Sequence, residues 1–305
     1  MHLTNREIWA LVHGMLIGGP LLLGYAVTLT VLAGLRSDHL TARAIGRHVA
    51  GLRVGAGALA LSAWAVVLLG TWVLLPWYRE DTPDSPQSVL LSDPSTRQWH
   101  EFADVWKTHV AVLSPILATA GAALVLHYGG SLARDRTARA VVFSLFLGAF
   151  AIASLAADRI ARHPRRAHQM KGAPMQHEII DQLPANPSPS NARDARETTE
   201  PLPASGPAAA AVFAAGLAAL TLGSLSMLSA ASTAVADALT VYERSGDASG
   251  LITVTAAVFF ASWAALAAAW RRADPPLARV AAISGIFVLL GLLGTFPPFF
   301  NAFGG

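Results

Sequence analysis

The chain has no cysteine. That absence excludes disulfides, thiolate zinc sites, Cys-ligated iron–sulfur clusters, covalent c-type haem attachment and a cysteine nucleophile. Charge is scarce as well: Asp, Glu, Lys and Arg make up 13% of the 305 residues, about half the share of a soluble domain, where ~25% is usual. No Gly-rich phosphate loop and no catalytic-triad pattern occurs in the sequence, so a soluble-type enzyme site is not expected.

What fills the sequence is apolar. Hydrophobic residues reach 53% and the mean hydropathy is +0.47, so the solvent for most of the chain is lipid. Apolar runs near residues 8–35, 49–76, 106–132, 139–158, 207–239, 251–270 and 278–300 each approach the ~20 residues that cross a bilayer. The expected fold is an all-α polytopic membrane protein: a four-helix bundle followed by three further helices. The first run is too long for a signal-peptide core, and its flank Met1–Glu7 is barely basic, so it is expected to stay as a helix. The net charge of +3 and a pI near 9.7 come from arginines at the ends of these runs. Positive-inside orientation accounts for them, and no nucleic-acid partner is expected.

Residues 161–206 divide the chain into a module at 1–160 and another at 207–305. The dividing segment is basic at first (Arg162, Arg165, Arg166, Lys171, just after Arg159) and carries a short amphipathic stretch at His177–Leu183. It ends in a run rich in Pro, Ser and mixed charge from Pro184 to Pro201, the composition of a solvated linker. Every histidine inside a span belongs to the first module, and the second is alanine-rich. No internal repeat relates the two.

Arg36, Arg43, Arg47 and Arg53 follow the first span and Arg134, Arg136 and Arg139 the third, whereas Glu80, Asp81, Asp84, Asp93, Glu101 and Asp104 lie between the second and third. This pattern puts the N-terminus outside a bacterial cytoplasmic membrane. With seven crossings, Arg271, Arg272 and Arg279 would then face outward. Either the charge rule is overridden there or the count of crossings is off by one.

His13 and His109 lie near the starts of the first and third spans, which run in the same direction, so both belong to one membrane face. His13 is four residues past Trp9 and His109 three past Trp106, which places each about 5 Å inside an aromatic belt. Gly14, Gly18, Gly19 and Gly24 leave the first helix bare near His13, and Gly70 and Gly148 fall at depths that could face the same space. Two imidazoles at one depth in lipid ask for a partner. The sharpest expectation is b-type haem held by His13 and His109 as the iron's axial ligands, in the slot of a four-helix bundle. A metal or quinone site is a second reading, and interfacial packing with bonds to backbone, to each other or to Asp104 or Lys107 a third.

His127 follows His109 by 18 residues, about 27 Å along the same helical face. A second haem there would need His39 or His48, and an interface anchor beside Tyr128 explains His127 equally well. The strings His100-Glu-Phe-Ala-Asp104 and His177-Glu-Ile-Ile-Asp181 lack the second histidine of zinc proteases. His100 precedes the third span, where a surface helix beside the haem edge could take a docking or quinone-access role.

The middle thirds of the spans carry no charged residue, and Asp237 falls near the end of the fifth, unlike pumps and ion-coupled carriers. The run Thr221, Ser224, Ser226, Ser229, Ser232 and Thr233 is expected to bond between helices more than to line a polar path. Pro297-Pro298, among Phe296, Phe299 and Phe300, is expected to stop the last helix at an aromatic belt.

The string from Trp99-His100-Glu101-Phe102 through Trp106-Lys107-Thr108-His109-Val110, together with Leu-Val-His13-Gly in the first helix, resembles a group of bacterial polytopic membrane proteins. More broadly, residues 1–160 resemble small b-type cytochrome membrane subunits. The resemblance implies electron transfer beside a quinone pool or a periplasmic carrier, within a larger respiratory or redox complex and with no stand-alone enzyme chemistry. A haem-free structural or assembly subunit is the alternative, and a transporter the third.

Overall fold

The structure, a computed structural model, describes residues 4–36, 41–100, 106–157 and 204–296. They form helices joined by turns, with no β-strand among them. In chain order the helices are α1 (Asn5–Gly34), α2 (Ala42–Tyr78), α3 (Pro86–Ser92), α4 (Pro94–His100), α5 (Lys107–Ala133), α6 (Arg136–Ala157), α7 (Gly206–Ala231), α8 (Thr233–Leu239), α9 (Asp247–Ala269) and α10 (Leu277–Gly294). Seven of them, all but α3, α4 and α8, are long and apolar enough to cross a membrane. The chain is an all-α polytopic protein of the expected class.

Local chemistry sets the ends. Thr4 and Glu7 close a capping box: the Glu7 N–H donates to Thr4 Oγ1 at 3.3 Å, and the Thr4 N–H to Glu7 Oε2 at 2.7 Å, which satisfies two orphan donors of the first turn. The adjacent Arg6 pairs with Glu80 at 2.7 Å, tying the start of α1 to the end of α2. The expected fifth span, 207–239, is in fact interrupted. Ser232 is extended (φ −147°, ψ 117°), so α7 stops at Ala231 and α8 is a separate short helix with Asp237 exposed.

α5 and α7 form the buried centre. α5 packs on α2, α6 and α7, and α7 packs on α9 and α10. The linker is therefore a boundary in sequence but not in packing. Lipid supplies no hydrophobic drive between helices, so close approach and hydrogen bonds do the work. A Cβ on Gly223 would fall 2.5 Å from the Gly291 carbonyl oxygen, and one on Gly216 would fall 2.7 Å from Ser284 Cα. α7 and α10 thus meet backbone to backbone. In the first module Ser114 Oγ donates to the Ala149 carbonyl at 3.0 Å and lies 3.2 Å from Tyr25 Oη, linking α1, α5 and α6. Trp64 Nε1 donates to Thr119 Oγ1 at 3.1 Å.

The serine and threonine run of α7 departs from expectation. Thr221, Ser224 and Ser226 donate to carbonyls four residues back in their own helix, and only Ser229 reaches another element, donating to Asp247 at 2.6 Å. A hydroxyl that shares the helix carbonyl one turn behind it is satisfied locally.

Helix directions place the arginines of the second module. α6 ends beside the start of α5, since Ala149 meets Ser114 and Gly148 meets Leu117. α7 begins at the other end, where His127 Nε2 donates to the Ala204 carbonyl at 2.8 Å and the Ser205 N–H to Asp274 Oδ1 at 2.8 Å. α6 and α7 therefore run in the same direction. Ala157 and Ala204 therefore lie at opposite ends of the bundle, and residues 158–203, outside the described residues, hold no apolar run of about 20 residues. Arg271, Arg272 and Arg279 fall at the end that carries Arg53, Arg134 and Arg136, called here the basic end; the opposite one is the histidine end.

Candidate functional site at the histidine end

Both α1 and α2 widen from α-helix to π-helix near this end, over Val12–Gly18 and Gly70–Leu74. Such turns occupy well under 1% of residues in proteins and recur at functional sites. Each precedes a proline by two residues, Pro20 and Pro76. A proline donates no hydrogen bond to the carbonyl four back and its ring crowds that carbonyl. A wider turn just upstream relieves the conflict, and the glycines offer no side chain to oppose it. The bond from the Gly19 N–H to the Gly14 carbonyl closes the first π segment, and that from the Leu75 N–H to the Gly70 carbonyl the second.

His13 stands on the first π segment and lies against the second. A Cβ on Gly70 would be 3.2 Å from His13 Cε1, so the imidazole occupies the space a side chain would take. His109, at the start of α5, is 5% exposed. The Nδ1 atoms of both rings are buried without a hydrogen-bond partner. An orphaned buried polar nitrogen costs about 1–3 kcal/mol, and two at one end of a bundle form the strongest polar anomaly in this fold.

The second module supplies the remaining wall, which sequence reading missed. Asp247, the first residue of α9, lies in the segment that packs on the start of α5 and on the second π segment. Asp247 is held by Ser229. Arg79 Nη1 donates to the Ser245 carbonyl at 2.8 Å, and Ser245 Oγ donates to the Thr71 carbonyl at 2.6 Å, inside the second π segment. Gly246 turns the chain at φ +60°, a conformation that favours glycine, and lies close to the Arg79 guanidinium. Trp72 and Tyr242 pack with ring centroids 5.5 Å apart. The lone acid opening a span and the Gly–Pro spacings were the available signals.

The other predicted residues lie apart from this pair. His100 Nδ1 shares a hydrogen bond with Tyr78 Oη at 2.9 Å, its ring parallel to the phenol; Glu101–Asp104 lie outside the described residues. His127 is at the basic end, bonded to Ala204. His48 Nδ1 donates to the Ala44 carbonyl at 2.8 Å, so both rings have partners there. His39, the His177–Asp181 string, the 161–203 linker and Pro297–Phe300 lie outside the described residues. Gly148 does not face the histidines: it packs on Leu117. Gly24 meets Leu59.

Among the described residues no group of three or more His, Asp or Glu converges as a metal centre. The pair His13 and His109 offers two imidazoles, the ligand set of a bis-histidine haem. The chain matches no family model, no curated protein and no solved structure.

Proposed function

We propose that the protein is an integral membrane subunit of a bacterial respiratory or redox complex, in the cytoplasmic membrane, that binds b-type haem through His13 and His109. The observation that carries this reading is two imidazoles at one end of the bundle, His13 seated against Gly70 and His109 5% exposed, beside two π-helical turns; haem iron would take Nε2 of each ring. Haem, when bound, supplies one-electron chemistry, to or from quinone or a periplasmic carrier. The chain's own part is to hold the rings. Gly70 makes room for His13, and the start of α5 buries His109.

The test is a reduced-minus-oxidised spectrum of protein purified in mild detergent. A sharp b-type α-band, lost in both His13→Ala and His109→Ala, supports the proposal; a flat spectrum from intact protein ends it. The haem-free alternative, a structural or assembly subunit, is favoured by one observation. The histidine end is also where the Ser245–Thr71 and Arg79–Ser245 bonds fasten the two modules together.

A further inference from the structure

A second feature, remote from the histidines, lies between α6 and α10 with α7 as its floor. It is a lipid-facing groove of about 790 Å³, within the ~300–1,000 Å³ common to small-molecule sites. Its walls set small residues, Ala140, Gly148, Ala278 and Gly285 among them, between Leu, Ile and Val side chains. Only one charged residue lines it, Arg136, at the basic end. Arg136 opens α6 and is exposed. The exposed Arg279 follows the lining residue Ala278 on the facing helix.

The groove's length decides what it fits. Its lining runs from Arg136 to Gly148 on α6 and from Ala278 to Leu289 on α10, roughly 17 Å of helix rise on each. That is about the depth of one leaflet, half of the ~30 Å hydrocarbon core. An apolar trough one leaflet deep, ending in guanidinium groups at headgroup level, matches an acyl chain below and a phosphate above. Basic pockets between spans bind anionic headgroups in this way.

We infer that this groove holds one anionic phospholipid of the leaflet at the basic end, its phosphate on Arg136 and an acyl chain against the glycines and alanines of α6 and α10. The occupant fills the gap that these two helices leave over α7, so the bound lipid is part of the packing.

Native mass spectrometry of the full chain tests this, after delipidation and titration with phosphatidylglycerol or phosphatidylcholine in mixed micelles. One phosphatidylglycerol per chain is expected, retained at least five-fold better than phosphatidylcholine. Arg136→Gln should lose that preference. A Cβ on Gly285 meets nothing within 4 Å, so Gly285→Leu should fold normally and exclude either lipid by filling the trough. Equal retention of the two lipids, no change in Arg136→Gln, or undiminished binding in a Gly285→Leu protein of unaltered circular dichroism would each overturn the assignment.

Discussion

The imidazole of His13 sits in the place a side chain would take at residue 70: a Cβ on Gly70 would lie 3.2 Å from His13 Cε1. Two helices that each widen before a proline meet at this contact. Gly70→Ala asks the ring to give by a few tenths of an ångström, whereas Gly70→Val adds two methyl groups that it cannot share space with. Under the haem proposal, Gly70→Ala keeps most of the b-type absorbance per protein and Gly70→Val less than half, with helical content unchanged. Difference spectra at matched concentration check this. Full absorbance in Gly70→Val would show that the ring is not positioned by residue 70.

The seven spans were legible because their signal is composition summed over some 20 residues, which no local detail overrides. The two histidines were legible too, as polar residues inside apolar spans. Their surroundings were not. Asp247 and Ser245 reach the site from far along the chain, and hydropathy carries no record of which spans touch. The π turns escaped because each rests on one glycine and one proline in otherwise ordinary helix. The break at Ser232 escaped because alanine and serine continue smoothly across it.

Ser114 joins three helices in the first module. With its proton given to the Ala149 carbonyl, its oxygen is left to accept from the Tyr25 hydroxyl. Interhelical bonds in membranes contribute about 0.6 kcal/mol on average, up to ~2. Tyr25→Phe is expected to cost about 1 kcal/mol, read as a small fall in Tm in detergent. Ser114→Ala should cost more, since it leaves the Tyr25 hydroxyl without this partner in a buried site. A neutral Ser114→Ala would deny the bonds a role.

The α7–α10 seam should be far less tolerant. Gly223 and Gly291 approach each other through backbone atoms, and a Cβ on Gly291 would collide with the Ala219 carbonyl. Backbone cannot yield as a flexible side chain does. Gly291→Leu is expected to separate α10 from α7 and to expose it to protease, while Gly285→Leu, on the open side of the same helix, leaves the digestion pattern unchanged. Identical patterns for the two variants would contradict this seam.

At the basic end Asp274 Oδ1 accepts from the Ser205 N–H at 2.8 Å, and hydrogen bonding with Ser205 holds the Asp274 pKa below the usual carboxylate value. A carboxyl depressed in the folded state stabilises above its unfolded pKa, and that stabilisation is lost as pH falls through the folded value. Asp274→Asn should therefore lower Tm at pH 7, and the difference from the unmodified protein should close as pH drops below 4. A gap that does not narrow at all on acidification would assign the effect to something other than the charge.

Because the chain has no cysteine, each introduced cysteine reports on its own position. α6 and α7 point the same way, so the bundle places residues 43 and 271 at one membrane face and residues 81 and 243 at the other. An impermeant maleimide applied to intact cells should label Asp81→Cys and Glu243→Cys, and should label Arg43→Cys and Arg271→Cys only after permeabilisation, the sense the positive-inside rule requires. The decisive pair is 81 and 271. Labelling of both from one side would mean that the last three spans insert in the opposite sense. α7 could not then lie along α5 with Ala204 at His127, nor could Ser245 reach Thr71. Labelling from opposite sides would require the polar stretch between α6 and α7 to pass from one face to the other. The same four variants thus test the packing of the two modules and the path of the chain between them.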